Sequence, residues 1–139
     1  MTTRKIFLDS SALYAFMDRT DTNYERVSKA MEQFSLQGAS LFTNLQCAYE
    51  TYNAINNQLG ITLGFDFLQA MLESSIEILW PQKTDLIAAF RLIKLNRDKQ
   101  LFLREALIAI LMQKRGIPLI LTCTYWNNLL GSSSYWNKF

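Results

Sequence analysis

Three acidic residues stand beside or among apolar residues, where a charge is costly unless it is paired or bound to a metal. Asp9 ends an apolar run near the start of the chain, and Glu50 and Glu105 have mainly apolar neighbours. Carboxylates are preferred ligands of Mg²⁺ and Mn²⁺, which a few acids can hold together with water and substrate phosphates. Such an ion can activate water and stabilise the charge on a phosphodiester. The three acids are therefore candidate ligands of a single ion.

Each acid also has an ordinary structural explanation. Asp9 could cap the helix that follows it, Glu50 could point to solvent, and Glu105 could pair with Arg104, Lys114 or a partner elsewhere. Taken one at a time, Glu50 and Glu105 favour these explanations, whereas Asp9 slightly favours a functional role.

The composition excludes several other kinds of site. The chain has no histidine, and its two cysteines, Cys47 and Cys123, are far apart, which excludes Ser-His-Asp and Cys-His catalysis and structural zinc. The 14 basic and 12 acidic residues are too evenly balanced to predict nucleic-acid binding from charge alone. Free thiols, no signal peptide and no apolar run of about 20 residues predict a cytoplasmic protein without a membrane segment.

The length and the apolar pattern predict one α/β domain over residues 1–139. Half of the residues are hydrophobic, which is enough for one sizeable core. The predicted strands lie at 5–9, 39–42, 76–79 and 118–122, and a polar turn is expected at 131–134. The predicted helices lie at 12–17, 24–34, 44–58, 65–72, from 84 onwards and 101–114, with Gly60 and Gly116 as stops. Alternating strands and helices indicate a three-layer α/β/α fold around a mostly parallel sheet.

Ligands of such sheets bind beyond the carboxyl ends of the strands. Asp9 follows the first predicted strand, and Thr122 and Thr124 lie at the end of the last one. These residues are therefore expected at one edge of the sheet.

Four segments, in this order, are similar to motifs of the PIN-domain family of the VapC type. Residues 6–15 resemble its opening strand, with a metal-binding Asp at Asp9 and a hydroxyl residue at Ser10. Residues 41–51 resemble the second acidic segment, with Glu50. Residues 98–107 correspond to the third, where Glu105 stands for the usual Asp and Arg104 for the preceding Ser or Thr. Residues 121–131 correspond to the last strand and turn, where Thr124 replaces a fourth Asp.

This resemblance implies a Mg²⁺- or Mn²⁺-dependent endoribonuclease that hydrolyses RNA phosphodiester bonds. Asp9, Glu50 and Glu105 would be the catalytic and metal-binding acids, and Ser10, Thr122 and Thr124 would give polar support. The resemblance also implies a homodimer and a small antitoxin protein as partners.

Two alternatives remain open at the level of sequence. The first is a catalytically inactive PIN-like module that binds RNA or a protein, with Arg104 as a phosphate contact. The second is an interaction protein whose aromatic residues form an exposed docking surface, namely Trp126, Tyr135, Trp136 and Phe139.

Overall fold

Five parallel strands form one sheet in the computed structural model, which describes residues 3–138, with side chains described to residue 136. The order across the sheet is β3-β2-β1-β4-β5, and every neighbouring pair is parallel. The strands are β1 (Lys5–Leu8), β2 (Ser40–Asn44), β3 (Glu77–Leu79), β4 (Leu119–Leu121) and β5 (Ser133–Ser134).

Six α-helices connect the first four strands. They are α1 (Ser10–Met17), α2 (Tyr24–Leu36), α3 (Leu45–Leu59), α4 (Ile61–Glu73), α5 (Lys83–Leu95) and α6 (Leu103–Arg115). Short 3₁₀ segments lie at Arg97–Lys99, Leu129–Gly131 and Tyr135–Lys138. All six helices were expected, although α4 begins four residues before the predicted start. Among the described residues, no helix has both the length and the apolar character needed to cross a bilayer.

Two hydrophobic clusters cover the two faces of the sheet, because successive side chains of a strand point to opposite faces. Phe7 of β1 and Ile120 of β4 pack with α6 residues such as Ile108 in one cluster. Ile6 and Leu8 pack in the other cluster, with residues of α1, α2, α3 and α4. These layers confirm the predicted three-layer α/β/α fold.

The predicted polar turn at 131–134 is wrong in its second half. Ser133 and Ser134 form β5, which pairs with Leu119 and Ile120 of β4. Serine has little preference for β-strands, so the residue types at 133 and 134 do not predict a strand. The open edge of β4, with its unpaired backbone groups, provides the partner that makes these residues a strand.

The proposed aromatic docking surface is also wrong for the residues that the structure describes. Trp126 is 4% exposed, and its indole Nε1 donates to Ser132 Oγ at 2.9 Å. Tyr135 and Trp136 are half-buried against the second cluster, and Trp136 Nε1 donates to the Thr122 carbonyl. Phe139 lies outside the described residues. These aromatics therefore close the fold at its C-terminal end.

Candidate functional site

The carboxyl ends of β1 and β4 bring Asp9 and Thr122 together, as the parallel sheet predicts. Asp9 follows β1 directly, and its backbone N–H donates to the Leu121 carbonyl at 3.0 Å, so it continues the ladder with β4. Thr122 Oγ1 donates to Asp9 Oδ2 at 2.7 Å, and Ser11 Oγ lies 3.3 Å from the same oxygen. These contacts place Asp9 at the centre of the sheet edge.

Asp9 is the N-cap of α1 as well as a member of the site. Its Oδ1 accepts the Ser10 backbone N–H at 2.8 Å, and its backbone has the extended conformation usual for this position. The residue is only 3% exposed. The capping role and the placement at the pocket are therefore both present, and neither excludes the other.

Glu50 points into the same pocket from α3. This helix begins immediately after β2, where the Asn44 side chain accepts the Cys47 backbone N–H at 2.8 Å and caps it. Glu50 lies three residues after Cys47, so the two side chains share one face of the helix. Cys47 Sγ lies 3.7 Å from Asp9 Oδ1, which shows how closely α3 approaches the end of β1.

A cation, Arg104, lies between the two acids. Its Nε donates to Glu50 Oε1 and Oε2 at 3.1 and 3.2 Å, and its Nη2 lies 3.0 Å from Glu50 Oε1. The same Nη2 lies 2.5 Å from Asp9 Oδ1 and 2.6 Å from Ser10 Oγ. Arg104 belongs to the first turn of α6, so one guanidinium joins the start of α1, α3 and α6.

The electrostatics of the pocket follow from burial and from this ion-pair cluster. Burial by itself lowers the pKa of Arg104, but the hydrogen bonds to Glu50 and the charge of Asp9 outweigh it, and the net shift is upward. Burial, followed by the negative charge of Asp9, raises the pKa of Cys47 to about 12. The pocket therefore contains a permanent cation and a neutral thiol at neutral pH.

Glu105 and Thr124 make no hydrogen bond or ion pair with Asp9, Glu50 or Arg104 among the described residues. Glu105 is half-buried, and no hydrogen bond or ion pair links it to any of the described side chains. Its suggested partners are engaged elsewhere, because Arg104 binds Asp9 and Glu50, and Lys114 lies 3.3 Å from Asp85. Thr124 is exposed, and its hydroxyl lies 3.0 Å from that of Thr122.

The residues of this pocket do not fit the Mg²⁺ or Mn²⁺ ion that the family resemblance implies. Within the described part of the chain, no group of three or more His, Cys, Asp or Glu residues is placed to hold a metal. The guanidinium of Arg104 already contacts the oxygens of Asp9 and Glu50 that would be the ligands. The set Asp9, Glu50 and Glu105 therefore stays a prediction, and no catalytic step is assigned to a metal here.

Cys47 lies in the pocket but is not among the predicted site residues. The helical spacing indicates this position, because a residue three positions before Glu50 on a helix must share the face of Glu50. No local pattern indicates which residues Arg104 contacts, since Arg104 and Asp9 are 95 positions apart.

A separate groove of about 540 Å³, lined by residues such as Phe16, Met31 and Leu41, contains none of the predicted site residues.

Comparisons with known proteins agree with this architecture. The model of the PIN domain family matches residues 6–123. The solved structure of VapC20 from Mycobacterium tuberculosis, described as a Sarcin-Ricin loop cleaving toxin, is similar with a TM-score of 0.74 and 15% sequence identity. The similarity covers 86% of this chain and 89% of that one. No curated protein matches the chain significantly. The family match and the parallel sheet confirm the predicted resemblance, and the chain belongs to the PIN-domain family.

Proposed function

We propose that residues 1–139 form one PIN domain that binds RNA at the edge of the sheet occupied by Asp9, without metal-dependent hydrolysis. The observation that carries this proposal is the pairing of Arg104 with both Asp9 and Glu50. Two acids that neutralise an arginine are poor ligands for a divalent ion, because the cation that they need is already in place.

Exposed basic residues, which precede α6 or contact Trp136, support RNA as the ligand. Arg97 and Lys99 lie in the 3₁₀ segment shortly before α6, and both are exposed. Arg26 is also exposed, and its guanidinium lies 3.9 Å from the ring centre of Trp136. The indole Nε1 of Trp136 in turn donates a hydrogen bond to the Thr122 carbonyl. Lysine and arginine supply most of the affinity for a phosphate backbone. We assign the phosphate contacts to these residues, since the charge of Arg104 is already neutralised by carboxylates.

The second candidate is the metal-dependent endoribonuclease with Asp9, Glu50 and Glu105 as its acids. A specific observation favours it, because Asp9 and Glu50 share one pocket at the carboxyl edge of the sheet, with Ser10 and Thr122 beside them. The fold similarity to a toxin that cleaves the Sarcin-Ricin loop agrees with RNA as the ligand in both candidates.

Binding and cleavage of RNA separate the two candidates. Binding of a labelled RNA is followed by fluorescence anisotropy at several salt concentrations, and cleavage is followed on gels with Mg²⁺, Mn²⁺ or chelator. The binding proposal predicts a salt-dependent affinity that chelator does not change, and intact RNA. Chelator-sensitive cleavage that is lost in Asp9→Asn would establish the nuclease instead, and no binding at low salt would refute both.

A matched pair of double variants tests where RNA binds. Arg97→Gln combined with Lys99→Gln removes two charges near α6, and should reduce the slope of log affinity against log salt by about 1–2. Lys5→Gln combined with Arg115→Gln removes two charges at the amino end of the sheet, and should leave that slope unchanged. Equal effects of the two pairs would contradict the assigned surface.

We also propose a second copy of the chain as a partner and a cytoplasmic location, and the nuclease candidate adds a small antitoxin protein as a partner. Exposed apolar side chains on one helix support a protein partner, since Ile61, Phe65 and Leu72 of α4 are each more than half exposed. Light scattering of the purified chain gives its mass directly. A monomer at all concentrations would refute the homodimer and leave the antitoxin as the candidate.

A further inference from the structure

We propose that Arg104 is a built-in cation that replaces a divalent metal in this PIN domain and keeps such ions out of the pocket. This inference concerns the same pocket as the proposed function, but it does not depend on RNA binding.

The surroundings of Arg104 Nη2 resemble those of a bound cation more than those of an ordinary hydrogen-bond donor. Three oxygens lie within 3.0 Å, from Asp9, Ser10 and Glu50, and the sulfur of Cys47 lies at 3.6 Å. An Nη2 group has only two hydrogens, so it cannot donate a well-directed bond to all four atoms. The acceptors therefore gather around the positive charge itself.

Burial explains why the pocket requires a cation. The side chain of Asp9 is 5% exposed, and a carboxylate at that depth needs a partner of opposite charge. The hydroxyls of Thr122 and Ser11 supply hydrogen bonds to Asp9 but no charge. Arg104 supplies the charge, and it ties the end of β1 to α3 and α6 as a shared metal ion would.

Arg104 and a divalent ion cannot share this pocket. Mg²⁺ binds oxygen ligands at about 2.0–2.1 Å, so an ion bound to Asp9 Oδ1 and Glu50 Oε1 would lie in the space that Nη2 occupies. The two cations would also repel each other strongly in a part-buried pocket. Removal of the arginine should therefore leave space for a metal ion in the pocket and leave the carboxylates of Asp9 and Glu50 without a counter-ion.

The test is a calorimetric titration of Mn²⁺ into the wild-type chain, Arg104→Thr, Arg104→Lys and Arg104→Thr combined with Asp9→Asn. We expect no saturable binding to the wild type or to Arg104→Lys at millimolar Mn²⁺, because both retain the cation. Arg104→Thr should bind Mn²⁺ saturably, and the added Asp9→Asn change should abolish that binding. Melting temperatures are measured with the same samples, and Mn²⁺ should restore part of the melting temperature that Arg104→Thr loses.

Two results would overturn the proposal. One is saturable Mn²⁺ binding to the wild type with the affinity of Arg104→Thr, and the other is a folded Arg104→Thr protein that binds no Mn²⁺. If Arg104→Thr does not fold, paramagnetic broadening by Mn²⁺ is measured in the wild type. The amide signal of Ser10, next to Asp9, should then stay sharp at millimolar Mn²⁺, and selective broadening of that signal would refute the exclusion of metal. RNA is absent from these samples, so failure here and failure of the proposed function are distinguishable.

Discussion

Replacement of Arg104 by Met should destabilise the chain far more than removal of an arginine from a surface ion pair. Methionine retains much of the apolar stem of arginine but removes the charge and all of its hydrogen bonds. Asp9, which is 3% exposed, would then lose its counter-ion, and Glu50 would lose three contacts within 3.2 Å. The loss therefore falls on a buried carboxylate, which water cannot easily compensate.

The size of this effect can be worked out from the burial of the three side chains. Removal of one partner of a buried ion pair costs about 3–5 kcal/mol. The side chains of Arg104 and Glu50 are 27% and 31% exposed, so screening by solvent reduces the expected loss to about 2–3 kcal/mol. The unfolding entropy of a chain of 139 residues is about 0.3 kcal/mol/K, so the melting temperature should fall by about 7–10 °C.

Urea denaturation in the presence of chelator measures the free energy of unfolding, and Arg115→Met is the matched control. Arg115 binds Glu77 through two nitrogens, at 2.6 and 2.9 Å, but the two side chains are 40% and 49% exposed. Removal of this surface pair should cost less than about 1 kcal/mol. If Arg104→Met loses no more stability than Arg115→Met, with equal m-values, the buried cluster does not support the fold as we infer.

Three further predictions concern Tyr14, Asp18 and the two thiols. Burial and the hydrogen bond to Asp18 raise the pKa of Tyr14 to about 12. The stability that the protonated Tyr14 hydroxyl contributes is therefore complete below pH 10 and is lost as the pH rises through 12. The ultraviolet difference spectrum between wild type and Tyr14→Phe should show one phenol titrating near pH 12. Hydrogen bonds from Thr20 and Tyr14 lower the pKa of Asp18, so Asp18→Asn should be less stable than wild type at pH 7. That deficit should disappear as the pH falls below the unfolded value of about 3.9 and through the folded pKa, and a constant deficit from pH 7 to pH 2 would contradict this. Burial raises the pKa of both thiols, and Cys47 is fully buried. At neutral pH a thiol reagent should therefore modify Cys123 slowly and Cys47 only on unfolding. Mass spectrometry of the modified peptides gives the order of modification.

Local sequence signals were sufficient for most of the fold. Asp9 after an apolar run, Asn44 before α3 and Gly116 after α6 all mark element ends through interactions within a few residues. Gly116 has a φ of 67°, a left-handed conformation that glycine adopts at little cost. Because such signals are local, the order of strands and helices and the parallel sheet could be predicted without a structure. The edge at which Asp9 and Thr122 meet followed from that topology.

The tertiary structure decided which charge lies beside which. Glu50 and Arg104 are 54 positions apart, and the sequence allowed Arg104 to pair with Glu105 or to contact phosphate. A long flexible side chain at the start of a helix can reach several partners, and the choice depends on distances set by the packing of α3 and α6 against the sheet. The strand at Ser133 and Ser134 has the same origin, since only the open edge of β4 made those residues a strand. The sequence by itself therefore determined the family and the position of the pocket, whereas the cation that occupies the pocket was decided by long-range packing, which no local pattern records.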